Sequence, residues 1–176
     1  MPARFEVIGA TDVERLVEWF PQHRWPYHAR LHVDEAWVRE RAAAGHFFGT
    51  DARSFWVLEG SLAPLGIVRA FDLSDTTPLL DIRIADAARN SGLGTLALRW
   101  LATFVFENFL QTHRLGGYTR ADNRPMRRVF EKCGFLQEAR HRLAWRVHDG
   151  IYTDAVGYAI LRSDWLTGTV SPLVWP

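Results

Sequence analysis

Residues 89–95 read Arg89-Asn90-Ser91-Gly92-Leu93-Gly94-Thr95, a glycine-bearing segment between a strand pattern and a helix pattern. The run 79–84 before it alternates apolar and charged residues, and apolar residues recur at helical spacing over 96–110. Glycines let a backbone approach a ligand closely, and the free N–H groups of a first helical turn favour an anion. The segment therefore predicts a phosphate or pyrophosphate site, although close packing of helix on sheet would also require glycine.

The composition is that of an ordinary globular protein, with 176 residues of which 48% are hydrophobic and 23% charged. We expect one domain over 1–176. The formal charge of +1 argues against a nucleic-acid partner. One cysteine, Cys133, leaves no disulfide or CxxC metal site, and we expect no metal. The sequence shows no leader pattern and no long apolar run, so we expect no membrane partner and a cytoplasmic location.

Hydrophobic periodicity predicts about seven strands and four main helices. We expect strands at 5–8, 55–59, 65–73, 79–84, 115–119, 135–147 and 151–161. We expect helices at 13–20, from Asp34 to near Gly45, at 96–110, and from Asp122 or Asn123 to Gly134. Two turn signals, Gly60-Ser61 and Asp149-Gly150, separate strand patterns, and the second is the strongest hairpin signal in the chain.

An aromatic loop follows the first helix and holds Trp25, Tyr27 and His28. Such a loop is either a hydrophobic lid over the core or one wall of a substrate pocket. Two charged residues, Asp81 and Arg83, share one face of the strand 79–84. They either pair with each other or face a wet cleft.

Three ordered motifs resemble those of the GNAT superfamily of acyl-CoA-dependent N-acetyltransferases. The segment 89–94 matches the pyrophosphate loop R/Q-x-x-G-x-G/A. Asn123, followed by Phe130-Glu131-Lys132-Cys133-Gly134-Phe135, is similar to the later segment N-x(6)-Y-E-K-x-G-F. The motif Asp149-Gly150-x-Tyr152-x-Asp154, with Leu161-Arg162-x-Asp164-Trp165 after it, resembles the branch that includes ribosomal-protein N-terminal acetyltransferases. The resemblance covers roughly 5–165.

The resemblance implies a mixed α+β GNAT fold. Its central sheet would be largely antiparallel, with about seven strands, four main helices and a V-shaped splay at the cofactor strand. It also implies acetyl-CoA as the acyl donor and an amine as the acceptor, with a protein N-terminus or a small-molecule amine as candidates. A homodimer is the assembly we would test.

Cofactor-binding residues follow from the same resemblance. The backbone of Ile82, Arg83 and Ile84 would pair with the pantetheine arm, and N–H groups from Asn90 to Thr95 would hold the pyrophosphate. Asn123 would bond the arm from the far side. Either Arg128 or Arg127 would neutralise a phosphate at the adenosine end.

The implied reaction is direct attack of a neutral amine on the thioester, with the oxyanion held by a backbone N–H of the cofactor strand. Asp81 is our first candidate for the base, with pairing to Arg83 as the structural alternative. Tyr118 is a substrate-positioning candidate, because a neutral phenol is a poor base. Phe130 occupies the position where many relatives carry a tyrosine that protonates the leaving thiolate, so we expect catalysis by positioning and the oxyanion site.

Two alternatives stay open. The first is an acyl-CoA-binding module with weak or no catalysis, which the missing tyrosine at Phe130 favours. The second, more distant alternative is an NAD-dependent oxidoreductase, because Gly92, Gly94 and Ala97 also satisfy the loosened fingerprint G-x-G-x-x-A. For the acceptor, the acidic residues Asp72 and Asp75 are candidates to receive a cationic amine.

Overall fold

The computed structural model describes residues 3–60, 63–148 and 150–174. Its strands are β1 (Ala3–Val7), β2 (Ala52–Glu59), β3 (Gly66–Phe71), β4 (Leu79–Ile84), β5 (Arg114–Arg120), β6 (Leu136–His148) and β7 (Ile151–Leu161). Its α-helices are α1 (Val13–Trp19), α2 (Glu35–Ala43), α3 (Leu93–Asn108), α4 (Arg124–Lys132) and α5 (Arg162–Thr167). Short 3-10 helices cover Ala10–Asp12, Phe20–Gln22 and Asp86–Ala88.

The strands form one sheet of seven in the order β1-β2-β3-β4-β5-β7-β6. Every neighbouring pair is antiparallel except β4 and β5, which are parallel and share the single register pair Leu79↔Gly116. From that pair onward the two strands diverge. The gap between Ile82 and Ile84 of β4 and Tyr118 and Arg120 of β5 is called the splay below.

Two apolar clusters sandwich the sheet. On the α3 face, residues of α3 such as Leu98 and Leu101 are fully buried against β2 to β5 and β7. On the α1 face, Leu16, Phe20 and Trp56 belong to a second cluster that also includes α2. The alternation along each strand therefore sends one set of side chains to each cluster.

The predicted mixed fold, with seven strands, four main helices and a splay, is confirmed. Asp34 begins α2, where its carboxylate accepts a hydrogen bond from the Trp37 amide at 2.8 Å. The short α5 was not predicted, because six residues carry too little periodicity. The two predicted turns are only partly described, because Ser61 of the first and Asp149 of the second lie outside the described residues. Within the described ranges, no helix is long and apolar enough to span a membrane.

Candidate active site

The free edge of β4 lines one side of the splay. Ala85 donates its amide to the Leu65 carbonyl, at 2.9 Å, next to the register pair Gly66↔Ile84. Because bonding direction alternates along an antiparallel pair, the polar backbone groups of Arg83 turn toward β3 and those of Ile82 and Ile84 toward the splay. The Ile84 carbonyl accepts a bond from the Arg89 side chain, at 3.1 Å. The remaining groups at Ile82 and Ile84 are open to an added strand, as a pantetheine arm requires.

The opposite edge, β5, is open in the same way. Arg162 donates its amide to the His113 carbonyl, and Ala121 donates to the Asp154 carbonyl, both at 2.8 Å. In this bonding pattern the backbone N–H and C=O groups of the odd-numbered residues of β5 point toward β7. Those of Tyr118 therefore face the splay. A ligand in the splay would therefore lie between two strand edges.

The glycine loop lies at the open end of the splay, between β4 and α3. Asn90 and Gly92 both adopt left-handed backbone conformations, with φ of 63° and 89°. The amides of Gly92 and Gly94 donate to no acceptor within the described part of the chain. Free amides at the start of a sixteen-residue helix favour an anion. The loop and the β4 edge together fit an acyl-CoA, with the pyrophosphate at the helix and the arm along the strand.

Other residues of the loop stabilise its shape. The Ser91 hydroxyl donates to the Ala88 carbonyl at 2.8 Å. Thr95 starts the helical bonding, since its amide bonds the Gly92 carbonyl at 3.1 Å. Leu93 is buried at 7% exposure and anchors the first turn of α3 in the core.

Arg89 connects the loop to its surroundings. Its guanidinium pairs with Asp86 at 2.6 Å and donates to the carbonyls of Ile84 and Arg24. These bonds tie together the end of β4, the glycine loop and the aromatic loop. The role that the geometry gives this side chain is to hold three segments in place.

Asn123 is buried at 8% exposure, and both of its polar atoms bond within the protein. Its Oδ1 accepts from the Met126 amide at 3.2 Å and so caps α4, while Nδ2 donates to the Thr119 hydroxyl at 2.8 Å. An amide group carries two N–H donors, so one remains for a ligand. A bond from Asn123 to the pantetheine arm stays a prediction.

The two arginines considered for a phosphate differ in their surroundings. Arg127 donates to the Tyr158 hydroxyl at 3.2 Å and to the Ala121 carbonyl at 3.0 Å. Arg128 is exposed on α4. Of the two, Arg128 is the one whose guanidinium is available to a phosphate.

On the α1 face of the splay, Asp81 is held by two partners. Its Oδ1 lies 3.1 Å from His28 Nε2, and its Oδ2 accepts from Arg83 Nε at 3.3 Å. Burial by itself raises the pKa of Asp81, but Arg83, His28 and Arg69 outweigh it and hold that pKa well below its usual range. Asp81 is therefore an ionised carboxylate in a charge pair, and it is a weak proton acceptor.

Residues 24–28, called the bridging loop below, span the splay on the α1 face. Arg89 bonds the Arg24 carbonyl at one end, and His28 bonds Asp81 of β4 at the other. Between them, Arg120 of β5 donates to the Pro26 carbonyl at 2.9 Å. Both strand edges of the splay are thus tied to the same loop.

The three aromatic residues of the bridging loop have different environments. Trp25 is buried at 1% exposure and packs on Trp19 and Phe20, which is the lid role foreseen for this loop. Tyr27 lies under the guanidinium of Arg120, with 5.4 Å between Cζ and the ring centroid. The His28 side chain is 24% exposed. Of the three, it is the one that both contacts Asp81 at the splay and stays accessible to solvent.

Tyr118 is half-exposed on the α1 face of β5, with its ring over Gly157. Its ring centroid lies 6.0 Å from that of His141 on β6. This position, next to the splay, suits a group that contacts the acceptor.

Phe130 lies on the other face, where it is 1% exposed and stacks on Tyr158 with 4.8 Å between ring centroids. A Cβ built on Gly117 would lie only 2.9 Å from the tip of the Phe130 ring, so β5 needs glycine there. The hydroxyl of Tyr158 is engaged with Arg127 at 3.2 Å and Gln137 at 3.1 Å. Phe130 therefore packs the α3 face at the point where the strands separate.

Asp72 and Asp75 lie at the closed end of the splay, before β4 begins. The Asp75 carboxylate accepts from the Thr77 amide at 3.0 Å and from its hydroxyl at 3.2 Å. His113, just before β5, donates to the carbonyl of Thr76 in the same turn. The Asp75 carboxylate therefore stabilises a turn, and a role for Asp72 and Asp75 in receiving the acceptor amine stays a prediction.

Sequence reasoning missed two arginines of the α1 face. Arg120 could have been found from strand alternation, because it shares a face with Tyr118. Arg69 is buried at 9% exposure and donates to His46 Nδ1 at 2.8 Å. No local signal links Arg69 to His46, since the pair is 23 residues apart. Among the described residues, no three His, Cys, Asp or Glu side chains could jointly hold a metal ion.

The splay, with its open backbone edges and the glycine loop at the start of α3, has a geometry into which an acyl-CoA fits. Comparison with known proteins agrees, since the model of the acetyltransferase (GNAT) domain matches residues 4–136. The chain belongs to the GNAT family of acetyltransferases, and it is an N-acetyltransferase that uses acetyl-CoA. No curated protein matches the chain.

Solved structures share the fold. A spermidine N-acetyltransferase from Vibrio cholerae, in complex with CoA and spermine, has a TM-score of 0.79 and 18% identity, covering 93% of this chain and 98% of that one. A probable acetyltransferase has a TM-score of 0.70 and 22% identity, covering 93% of this chain and 94% of that one. At such identities these similarities concern the fold. The ribosomal-protein branch stays a prediction.

Proposed function

We propose that this protein transfers the acetyl group of acetyl-CoA to a single primary amine, either a protein N-terminus or a small-molecule monoamine, by direct attack. The observation that carries the proposal is the splay itself. Open backbone groups at Ile82, Ile84 and Tyr118 line it, the glycine loop lies at its open end, and the bridging loop spans its α1 face. A thioester bound along β4 would meet the amine on that face.

The charges of the α1 face favour a monoamine over a polyamine. Asp81 is neutralised by Arg83, and Asp122 is paired with Arg120 at 2.6 Å. A polyamine needs free carboxylates for its remaining ammonium groups, and both of these carboxylates are engaged. The shared fold by itself therefore does not assign the amine acceptors of the Vibrio cholerae enzyme to this chain.

The chemistry needs no group from Phe130. A thiol pKa of about 8.5 makes a thiolate a tolerable leaving group without an acid. Backbone N–H groups along the β4 edge are suited to hold the oxyanion of the tetrahedral intermediate. The enzyme would then rely on position and on this backbone site.

The test is CoA release from acetyl-CoA with three acceptors: a peptide with a free N-terminus, a small monoamine and spermidine. We expect turnover with at least one monoamine, with the acetylated product identified by mass, and little turnover with spermidine. Tight acetyl-CoA binding without turnover on any amine would favour the non-catalytic binding module. A preference for spermidine would contradict the monoamine assignment.

A further inference from the structure

His28 is the residue of the bridging loop best placed to exchange a proton with the acceptor. Its ring contacts Trp25 edge-to-face, with 6.1 Å between centroids, and its amide donates to the Trp25 carbonyl at 3.1 Å. The bonds of Arg120 and Arg89 to the same loop fix its position over the splay. The imidazole is therefore ordered at the α1 face, and its side chain keeps 24% exposure.

Asp81 determines which tautomer of His28 is present. An ionised carboxylate can only accept hydrogen bonds, so the ring atom facing it at 3.1 Å, Nε2, must carry the hydrogen. In a neutral imidazole the other nitrogen, Nδ1, then holds a lone pair. Nδ1 has no hydrogen-bond partner in the portion of the chain that the structure describes.

Burial and the nearby arginines keep the His28 ring neutral. Burial lowers the pKa of His28, Arg83 and Arg89 lower it further, and Asp81 offsets only part of the effect. At pH 7 the ring is therefore in the form that accepts a proton. Asp81, whose own pKa is held low, is not in a state to remove one from an ammonium group.

We propose that His28 is the general base of the acetyl transfer, accepting a proton at Nδ1, and that Asp81 is its positioning residue. This assignment rests on the proposed function and refines the sequence-based expectation that Asp81 itself is the base. Asp81 acts through the ring, because it fixes the tautomer and holds Nε2 so that Nδ1 is left free of the carboxylate.

The steps balance with acetyl-CoA and an ammonium group as the reactants. His28 Nδ1 takes one proton from the ammonium and later releases it to solvent. The neutral amine forms the bond from nitrogen to the acetyl carbon, and the carbon–sulfur bond breaks. The second nitrogen proton goes to the departing thiolate, which leaves as the thiol of CoA.

The base also favours one class of amine. A base whose pKa lies below about 6.5 removes a proton from an α-ammonium of pKa about 7.7–8.0 against an equilibrium that is unfavourable by roughly 15-fold or more. For a lysine ammonium of pKa about 10.4, the same equilibrium is unfavourable by roughly 10⁴-fold or more. The acceptor class that fits His28 is therefore an α-amine, such as a peptide N-terminus.

The test compares H28Q with H23Q, on the most responsive monoamine of the acceptor panel. Gln at 28 keeps a donor for Asp81 but cannot accept a proton. We expect kcat to fall about 10²- to 10⁴-fold in H28Q. The acidic limb of its pH–kcat profile should disappear, and acetyl-CoA affinity should stay unchanged. His23 is a matched control, because it lies just before the bridging loop and packs on Trp25. H23Q should keep both kcat and the acidic limb.

Two further variants separate positioning from folding. In H28A, added imidazole should restore part of kcat. In D81N the negative charge that raises the pKa of His28 is lost, so the acidic limb should move to lower pH. An H28Q enzyme that binds acetyl-CoA normally and retains wild-type kcat and pH profile would overturn the assignment while leaving the proposed function intact. A wild type that acetylates no amine would overturn both.

Discussion

The two sides of the splay differ in the kind of group that lines them, backbone on one side and side chains on the other. On the α3 side, the groups that we propose for ligand binding are backbone amides of the glycine loop and of the β4 edge, positioned by local conformation. On the α1 side, they are side chains, namely His28, Asp81 and Arg120, which come from three distant segments and hold one another by charge and hydrogen bonds. The cofactor side therefore depends on backbone dihedral angles, and the acceptor side depends on partners.

This difference explains why the cofactor could be inferred before the acceptor. A backbone site tolerates many side-chain substitutions, because its main-chain amides are the same in most residues. A side-chain site changes with single substitutions. Four predictions probe the contrast.

Gly92→Val is the change with the largest expected effect. Gly92 has φ of 89° and ψ of −8°, a left-handed conformation that costs a side chain about 1–2 kcal/mol. Relaxing that strain would turn the loop amides away from the pyrophosphate. We expect acetyl-CoA affinity to fall about 10- to 100-fold, or ~1.4–2.8 kcal/mol, by calorimetry.

Gly168→Val is the matched control for this prediction. Gly168 also has a left-handed backbone, with φ of 70°, and like Gly92 it has open space where a Cβ would stand. It ends α5, away from the splay. If both variants lost the same acetyl-CoA affinity, the effect would be one of general stability, and the loop would not be the pyrophosphate site.

Phe130→Tyr adds a hydroxyl at the junction of the two sides. The ring tip lies close over Gly117 and the side chain is 1% exposed, so the added atom overfills a tight core and should cost about 1–3 kcal/mol of unfolding free energy. We expect kcat to rise less than tenfold, because the thiolate leaves without an acid. Denaturant unfolding and steady-state kinetics measure the two effects. A hundredfold gain in kcat would show that an acid is needed.

The buried charges behind the acceptor side should make stability depend on pH through His46. Burial, followed by the charge of Arg69, lowers the pKa of His46 to about 4. Below the unfolded pKa of about 6.5 the unfolded chain binds the proton first, so stability falls as pH drops from about 6.5 toward 4. Since His46 is only partly buried, we expect a loss of about 1–2 kcal/mol.

Urea unfolding at several pH values measures this slope. H46N should flatten it in part, because the pKa values of His28 and His23 are also lowered. H32N, which changes an exposed histidine, should keep it. An unchanged slope in H46N would contradict the attribution to His46.

Arg120→Gln should give the smallest effect and the most selective one. It removes the bond to the Pro26 carbonyl, worth about 1 kcal/mol, and so loosens the bridging loop. We expect the KM of the amine to rise about fivefold, acetyl-CoA affinity to stay the same, and amide exchange over 24–28 to speed up. Arg124→Gln, at an exposed arginine at the start of α4, makes the same charge change. A similar rise in both variants would point to overall charge instead of the loop.

Much of the fold was predictable because its signals are local. The boundaries of β4 and β7 and the cap of α2 at Asp34 follow from alternation and from helix-capping preferences. The short α5 and the closed-end position of Asp75 were not, since neither is marked by periodicity. Of the predicted site residues, Asn90 to Thr95 lie together at the start of α3, whereas the side chains of Arg89 and Asn123 bond largely within the protein.

The sequence by itself determined the glycine loop and the order of strands and helices, because backbone conformation and hydrophobic periodicity are encoded over short distances. The acetyl donor followed from the resemblance of its motifs to those of the GNAT family. The tertiary structure decided the acceptor side. His28 reaches Asp81 across 53 residues, and Arg120 reaches Pro26 across 94. Such pairs depend on strand register and on how the bridging loop folds over the sheet, and neither is fixed by neighbours in the chain.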